Sequence, residues 1–298
     1  MLIGHQKVLS FFQEAIAHHS LGHSYCLIGP DQVGKRTLAQ IIAAQLLSIP
    51  MERLATHADF FYVERLYDEK SGKRKKEIVV EQARTLKAKL QTTSWFSGWR
   101  VIIIDEVELM NEETSNALLK ILEEPPERTL FFLLTTNDNL LLPTIRSRTQ
   151  CISLSTVSSP ELQAGLIEQG ITPSEAKELV ELSWGRPGRA LHLAHQPEIL
   201  QETREYWLHF DELTQQPIYE RFKRIESWVG GKKEDTLSRE EIDHLLELWI
   251  MWWYEQMNTF KKNMVATVSI LDSIFHARIL LQKNINPKLL LENIVLQW

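Results

Sequence analysis

The stretch 101–148 constrains the fold more than any other part of the chain. It opens with Val101-Ile102-Ile103-Ile104, a β-branched run that is apolar on both faces and too short for a helix. Such a run is typical of a buried central strand of a parallel sheet. Asp105 and Glu106 follow at its carboxyl end, the edge at which open α/β sheets bind ligands. The sequence therefore predicts an α/β domain with a polar ligand site at that edge.

The remainder of this stretch supplies further polar groups at predicted strand ends. A helix is predicted to begin at Asn111 and to stop at Pro125-Pro126. The apolar run 130–134 then enters the sheet and ends in Thr135-Thr136-Asn137, and the stretch closes on Arg146-Ser147-Arg148. An acidic strand end, a polar strand end and an arginine are the groups that a nucleoside-triphosphate site requires.

A phosphate-binding loop is predicted near the N-terminus. The predicted strand 25–28 runs into GPDQVGKRT at 29–37, which is followed by a helical pattern. The spacing G-x-x-x-x-G-K between a strand and a helix is typical of a P-loop. Gly29 and Gly34 let backbone N–H groups approach phosphate oxygens, and Lys35 neutralises their charge.

One position of this loop departs from the pattern. Arg36 stands where a Ser or Thr hydroxyl would bind Mg²⁺, and Thr37 comes one residue late, about 100° further around the helix. A glycine-rich turn that binds no phosphate is the alternative interpretation. The acidic strand end at 105–106 favours the P-loop.

The segment between the two motifs is predicted to form a basic hairpin. Strands are predicted at 60–66 and 77–80, and five of the nine residues in 68–76 between them are Lys or Arg. A solvated turn and a contact with phosphate or a partner are both open interpretations of this basic tip. An amphipathic helix is predicted at 82–91.

After Leu154 the strand signals stop. Helices are predicted at 160–169, 173–184 and 187–195, each opened by Pro or capped by Ser or Thr. From 202 to 298 the chain is predicted to be helical throughout, and its apolar, tryptophan-rich part is typical of a helix buried on more than one side. Those tryptophans are interpreted as core, with a subunit interface as the alternative.

Length, charge and composition limit the classes of protein to which the chain can belong. The 298 residues suffice for two or three domains, and the net charge of −6 argues against a wholly basic nucleic-acid binder. The sequence has no 18-residue apolar run and no basic-then-apolar N-terminus, so we expect neither a membrane span nor a signal peptide, but a cytoplasmic protein. Cys26 and Cys151 lie in or beside predicted strands and are expected to be buried free thiols.

Taken together, these motifs resemble the AAA+ clamp-loader subunits of bacterial DNA polymerase III, most closely those of the delta-prime type. The resemblance spans nearly the whole chain, and the helix in 101–127 followed by the Ser-Arg turn is its most specific part. The matching stretches are 29–35, 101–127, 131–148 and 185–194, with further similarity at His57-Ala58-Asp59 and 286–292.

The resemblance implies a role for each motif. It makes 29–35 the Walker A loop and Asp105-Glu106 the Walker B pair. Thr136 falls at the sensor 1 position, and Arg148 at the arginine finger of the Ser-Arg-Cys motif, where Thr149 replaces the cysteine.

The resemblance also implies an architecture and partners. The expected parts are a RecA-like AAA+ domain at 1–155, a helical lid at 156–201 and a helical collar at 202–298. The implied partners are gamma/tau-type and delta-type subunits in a five-subunit ring, which opens the sliding clamp and places it on primed DNA.

Three departures from the family pattern bear on ATP and metal binding. Arg36 removes the usual Mg²⁺ hydroxyl, so binding of ATP and Mg²⁺ is left open. Gly188 stands where ATPase subunits carry an arginine, so that cation is missing or displaced to Arg186 or Arg189. The four zinc-binding cysteines of many such subunits are absent, since no Cys lies between 27 and 150, and no zinc is expected.

Three hypotheses follow from these features. The favoured one is a subunit that hydrolyses little ATP itself and supplies Arg148 to the ATP of a neighbouring subunit. The second is an ATP-hydrolysing, gamma/tau-like subunit in which Lys35 holds phosphate, Asp105 holds Mg²⁺ and Glu106 orients water. The third is an AAA+ DNA helicase motor, which the collar-like C-terminus disfavours.

Overall fold

The computed structural model describes residues 2–68, 72, 74–91, 98–230, 236–260, 264–283 and 285–298. The chain forms two compact units, Met1–His195 and Gln196–Trp298. The strands, all in the first unit, are β1 (Ser24–Ile28), β2 (Phe60–Val63), β3 (Arg100–Ile104), β4 (Thr129–Thr135) and β5 (Gln150–Ser153).

The helices of the first unit surround these strands and continue after them. They are α1 (Gln6–Ala17), α2 (Lys35–Leu47), α3 (Val80–Gln91), α4 (Glu112–Glu123), α5 (Pro143–Arg146), α6 (Ser159–Glu168), α7 (Pro173–Ser183) and α8 (Pro187–His195). The second unit contains α9 (Pro197–Gln215), α10 (Ile218–Val229), α11 (Arg239–Phe260), α12 (Met264–Gln282) and α13 (Pro287–Val295). The expected boundary between 201 and 202 falls inside α9, and the three-part division stays a prediction.

The strands form a single sheet in the order β2-β3-β4-β1-β5. All four pairings among the described strands are parallel. The predicted class, an α/β P-loop domain with a parallel sheet followed by helices, is therefore confirmed. Because the strands are parallel, the segments after β1, β3 and β4 meet at one edge, and the turn before β5 lies at the opposite edge.

The buried strand β3 packs on both faces of the sheet, which explains its uninterrupted apolar run. Val101 and Ile103 pack in a core with residues of α1 and α2, whereas Ile102 and Ile104 pack in a second core with residues of α3 and α4. All four side chains are at most 1% exposed. Full burial of such a side chain contributes about 1.5–3 kcal/mol, so this strand fixes the position of the carboxylates that follow it.

Helix α4 begins where the sequence predicts. The side chain of Asn111 accepts a hydrogen bond from the backbone N–H of Thr114 at 2.8 Å and so caps the helix. Such a cap contributes about 1 kcal/mol. The helix ends at Glu123, just before Pro125-Pro126, as the restriction on residues preceding proline requires.

The predictions for 60–80 are wrong in two respects. Strand β2 ends at Val63 rather than at 66, and the residues 77–80, all of them described, contain no strand. Ile78 instead forms an isolated parallel bridge with Met110, and its carbonyl accepts from the Thr114 hydroxyl at 3.1 Å. These contacts tie the segment to the start of α4, and α3 begins already at Val80.

Only part of the predicted basic hairpin falls among the described residues. Tyr67 and Arg74 form an isolated antiparallel bridge. Residues 69–71 and 73 of the tip lie outside the described residues. The two interpretations of the basic tip, a solvated turn or a phosphate or partner contact, therefore both stay open.

The two cysteines are free thiols in neighbouring strands but differ in burial. Cys26 in β1 is buried, and burial, followed by the effect of Cys151, raises the pKa of its thiol to about 12. Cys151 is exposed, so its predicted burial is wrong. The reason is that β5 is an edge strand and most of its residues face solvent.

The second unit is built around aromatic side chains. Trp249 of α11 is 1% exposed, and its ring lies 5.2 Å from Phe210 and 4.8 Å from Trp298 between centroids. Trp249 and Trp252 are thus core residues, as their sequence context predicts. Among the helices described, none combines the length and the apolar character needed to cross a membrane.

Candidate nucleotide-binding site

The P-loop and the acidic end of β3 line one cleft of about 510 Å³. This cleft lies at the carboxyl edge of the sheet, where the sequence predicts a ligand site. Among the predicted site residues, the structure brings together Gly34, Lys35, Arg36, Thr37, Asp105 and Glu106. Gly29 directly follows β1, and a Cβ there would lie 2.3 Å from the carbonyl oxygen of Leu154, so only glycine fits.

Gly34 gives the loop its shape at the start of α2. Its φ of 116° is in the left-handed region, which glycine adopts without strain. Gly34 and the first residues of α2 line the cleft, and the N-terminus of a helix favours anions.

The ammonium group of Lys35 is bound by its own loop. It donates to the carbonyl oxygens of Gly29 at 2.6 Å and Pro30 at 3.0 Å and lies 3.8 Å from Asp31. The residue is 7% exposed, and this burial lowers the pKa of Lys35 below its ordinary value. The cation expected to meet phosphate thus lines the cleft while its ammonium group is bonded to its own loop.

Asp105 is bound from the neighbouring strand β2. The Tyr62 hydroxyl donates to one carboxylate oxygen at 2.5 Å, and the other oxygen accepts from the N–H of Glu106 at 3.1 Å. Burial and this carboxylate raise the pKa of Tyr62 well above its usual range. The guanidinium of Arg36 stacks on the Tyr62 ring at 4.2 Å. Asp105, the carboxylate expected to hold Mg²⁺, is therefore bonded to Tyr62, on whose ring Arg36 stacks.

Glu106 is held by two arginines. Arg65 donates to both of its carboxylate oxygens at 2.7 Å, and Arg74 lies 3.7 Å away. Bidentate pairs of this kind are among the strongest side-chain hydrogen bonds. Glu106 has φ 51°, in the left-handed region, where a residue with a Cβ costs about 1–2 kcal/mol, and the ion pairs offset this strain.

Thr136, at the end of β4, bonds to a glutamate near the Walker B pair. Its hydroxyl and its N–H donate to Oε1 of Glu108 at 2.9 and 3.1 Å. Glu108 lies in the short 3₁₀ helix that follows Asp105 and Glu106. The predicted sensor position is thereby linked to the end of β3.

Helix α8 closes one side of the cleft at Gly188. The N–H of Gly188 donates to the carbonyl oxygen of Gln32 at 2.8 Å, and a Cβ at Gly188 would lie 2.7 Å from that oxygen. An arginine at this position would not fit. Arg186 and Arg189 are both 6% exposed and donate to carbonyl oxygens of Ser183 and Leu182 at the end of α7.

Arg148 lies at the other edge of the sheet. It donates to Glu123 at 2.7 Å and to the carbonyl oxygen of Thr144 at 3.1 Å, and its side chain is 36% exposed. A second cavity of about 540 Å³ is lined by Arg148, Glu123 and residues at the starts of β1 and β5. A five-residue strand such as β1 spans about 16 Å, so Arg148 and the P-loop of the same chain are separated by the length of the sheet.

The groups that would bind Mg-ATP are bonded to other groups of the chain in this structure. Lys35 is bound to its own loop, Asp105 is bound to Tyr62, and Glu106 is bound to Arg65. Tyr62 and Arg65 were not predicted as site residues. Both lie in a segment predicted only as a strand, and their partners are more than 40 residues away in sequence, so no local pattern signals the contacts.

The sheet order, the P-loop after β1 and the acidic pair after β3 define an α/β P-loop domain of the AAA+ class. Residues 4–158 match a sequence family described as "DNA polymerase III, delta subunit". The match covers more than half of the chain, so the chain belongs to this family. This match, together with relatives named as delta' subunits, confirms the expected relation to clamp-loader subunits of the delta-prime type.

Individual relatives agree with the family. DNA polymerase III subunit delta' of Pseudomonas aeruginosa is 29% identical over 93% of this chain and 91% of its own length. Subunit delta' of Escherichia coli is 29% identical over 63% of this chain and 58% of its own. Among solved structures, a DNA polymerase III gamma subunit-related protein of Thermotoga maritima aligns with this chain at 21% identity and a TM-score of 0.49. The alignment covers 97% of this chain and 97% of that protein.

Proposed function

We propose that the chain is a delta-prime-type clamp-loader subunit that turns over little or no ATP itself and supplies Arg148 to ATP bound by a neighbouring subunit. The observation that carries this proposal is the contrast between the two sheet edges. Lys35 is buried in its own loop and Glu106 is bonded to Arg65, whereas Arg148 at the opposite edge is 36% exposed and bonded to the exposed Glu123.

Arg148 suits a role across a subunit boundary. A guanidinium is planar, permanently charged and able to bind two phosphate oxygens at once. Its present partner, Glu123, is 49% exposed, and an exposed ion pair contributes about 0–1 kcal/mol. Redirecting Arg148 to a phosphate therefore costs little. An arginine supplied in trans accelerates nucleotide hydrolysis by about 10³–10⁵-fold in other enzymes.

The proposed partners are subunits of the gamma/tau and delta types in a five-subunit ring, together with the sliding clamp and primed DNA. The proposed location is the cytoplasm. Relatives named as delta', gamma and tau subunits support the partnership among subunits. Reconstitution with the gamma/tau-type and delta-type subunits tests it. We expect clamp loading on primed DNA to require this chain, and loading that proceeds equally well without it would exclude the role.

An ATP-hydrolysing subunit is the second candidate. The observation in its favour is that Lys35, Asp105 and Glu106 are all present around one cleft. It requires Lys35 to turn from its own loop to phosphate and Glu106 to leave Arg65. Hydrolysis of Mg-ATP by the purified chain, abolished in Lys35→Ala, would favour this candidate.

A further inference from the structure

The guanidinium group of Arg148 is bonded to two separate segments of the chain. Its Nη1 atom donates to the carbonyl oxygen of Thr144 at 3.1 Å and to the hydroxyl oxygen of Ser147 at 3.4 Å. That hydroxyl in turn donates to the same carbonyl oxygen at 3.0 Å. The Nη2 atom donates to Oε1 of Glu123 at 2.7 Å. Because the group is planar, contacts at both of its ends set its position and its plane.

The two segments that hold Arg148 are packed in one core. Glu123 is the last residue of α4 and follows Leu122, which is 2% exposed. The backbone N–H of Arg148 donates to the carbonyl oxygen of Ile145 at 3.0 Å, and Ile145 of α5 is 1% exposed. Leu122 and Ile145 belong to the same hydrophobic cluster. The backbones of Glu123 and Arg148 are therefore both fixed by packing.

Helix stability does not explain the glutamate at this position. The partial negative charge at the C-terminus of a helix favours cations there and disfavours carboxylates. Glu123 lies in the last turn of α4, so its charge opposes the helix dipole. Its carboxylate contacts Arg148 instead. The ion pair, rather than the helix, accounts for an acidic residue at the end of α4.

Arg148 keeps donors for a ligand while Glu123 is bonded to it. Of the five N–H donors of a guanidinium, three make the bonds to Thr144, Ser147 and Glu123. The other two bond to no residue that the structure describes. The cavity of about 540 Å³ that Arg148 and Glu123 both line gives room for a phosphate beside them.

We propose that Glu123 is a positioning residue, which holds the guanidinium of Arg148 in the orientation in which its remaining donors reach ATP on a neighbouring subunit. An arginine side chain has many rotamers, and a group that is ordered before its ligand arrives loses less entropy on binding. Donors that are already oriented also stabilise the charge that develops in the transition state. This inference rests on the proposed trans role of Arg148, because Glu123 acts only through that side chain.

The first measurement compares Glu123→Ala with Glu124→Ala in the reconstituted loader. Glu124 is the next residue and is also exposed, so the control removes the same charge from the same helix end. Steady-state ATP hydrolysis is measured with clamp and primed DNA present, and sedimentation checks that both complexes assemble.

We expect kcat of the Glu123→Ala complex to be about threefold or more below that of the control, as for residues coupled in one ion pair. The KM for ATP should change less than about twofold, because a contact made in the transition state affects kcat. A Glu123→Ala complex that is as fast as the control would overturn the proposal. A faster one would also overturn it, since Glu123 would then compete with phosphate for Arg148.

The second measurement asks whether Glu123 acts through Arg148. The double variant Glu123→Ala/Arg148→Ala should hydrolyse ATP at the rate of Arg148→Ala alone, since the residue that Glu123 positions is gone. A further loss in the double variant, equal to that caused by Glu123→Ala alone, would show an independent role of Glu123 and overturn the proposal.

The same set of complexes separates failure of this inference from failure of the proposed function. If the Arg148→Ala loader hydrolyses ATP at the wild-type rate, the proposed function fails and the positioning role fails with it. If Arg148→Ala is slow and Glu123→Ala is as fast as Glu124→Ala, the proposed function stands and only the positioning role of Glu123 is overturned.

Discussion

The two edges of the sheet hold charged groups in opposite ways. At the carboxyl edge, Lys35 is 7% exposed and bonded to two carbonyl oxygens of its own loop. At the amino edge, Arg148 is 36% exposed and paired with a glutamate that is itself 49% exposed. The first cation is buried by its own loop, whereas the second is more exposed and pairs with an exposed partner.

This difference shows that the residues of a nucleotide-binding motif can be present and yet be bonded to other groups of the chain. A buried charge must be bonded within the protein, because an unpaired one would be strongly destabilising. Lys35 meets that requirement through Gly29 and Pro30, and the half-buried carboxylates Asp105 and Glu106 are bonded to Tyr62 and Arg65. In the proposed function, the Walker-type residues serve as contacts within the chain, and Arg148 at the far edge of the sheet is the group offered to another subunit.

The largest expected effect comes from Arg148→Ala. If Arg148 acts in trans, DNA- and clamp-stimulated ATP hydrolysis by the assembled loader should fall at least about tenfold, equivalent to about 1.4 kcal/mol of transition-state stabilisation. Steady-state ATPase assays on the reconstituted complex measure this. Arg148→Lys should not restore the rate, since an ammonium group cannot reproduce the planar fork.

Arg146 provides the matched control for that experiment. It lies in the same turn, is 51% exposed and pairs with Asp138 at 2.9 Å. Arg146→Ala should leave ATP hydrolysis by the complex close to the wild-type rate. An equal loss in both variants, or an Arg148→Ala complex with normal hydrolysis, would remove the distinction between the two arginines.

An effect smaller than that of Arg148→Ala on ATP hydrolysis is expected on the stability of the free chain, at the carboxyl edge of the sheet. Arg65→Ala breaks two hydrogen bonds to Glu106, whose side chain is 28% exposed, and should lower the free energy of unfolding by about 1 kcal/mol. Arg148→Ala breaks a more exposed pair and should cost less than about half of that. Urea denaturation of the free chain compares the two variants. A larger loss of stability in Arg148→Ala than in Arg65→Ala would contradict the difference between the two edges.

The smallest effect is expected for Lys35→Ala in the assembled loader. Because Lys35 is bound to its own loop, its loss should change ATP hydrolysis by the complex less than about twofold, or about 0.4 kcal/mol. Sedimentation of the variant complex checks that assembly is intact. A loss as large as that of Arg148→Ala would mean that both edges act in nucleotide turnover.

Much of the carboxyl edge could be predicted from local patterns. The run 101–104 predicts a buried strand of a parallel sheet. Because the strands are parallel, the P-loop and Asp105 lie at the same edge of the sheet. The cap at Asn111 and the prolines at 125–126 likewise fixed the limits of α4. Each of these features depends on neighbours in sequence or on a rule of sheet topology.

The side-chain partners could not be predicted in this way. The contacts of Asp105 and Glu106 with Tyr62 and Arg65 join residues 43 and 41 positions apart, and nothing in the spacing of β2 indicates them. The exposure of Cys151 depends on which strand lies at the edge of the sheet, which the strand's own composition does not reveal. Such features follow from tertiary packing.

Binding of Mg-ATP by the purified, full-length chain tests the central claim most directly. Isothermal titration calorimetry on the wild type and on Lys35→Ala compares a P-loop that has its lysine with one that lacks it. The P-loop lysine and both Walker B carboxylates are bonded within the chain. We therefore predict no saturable binding up to about 1 mM ATP, which corresponds to a binding free energy weaker than about −4 kcal/mol. One ATP bound per chain with a micromolar Kd, lost in Lys35→Ala, would contradict this prediction.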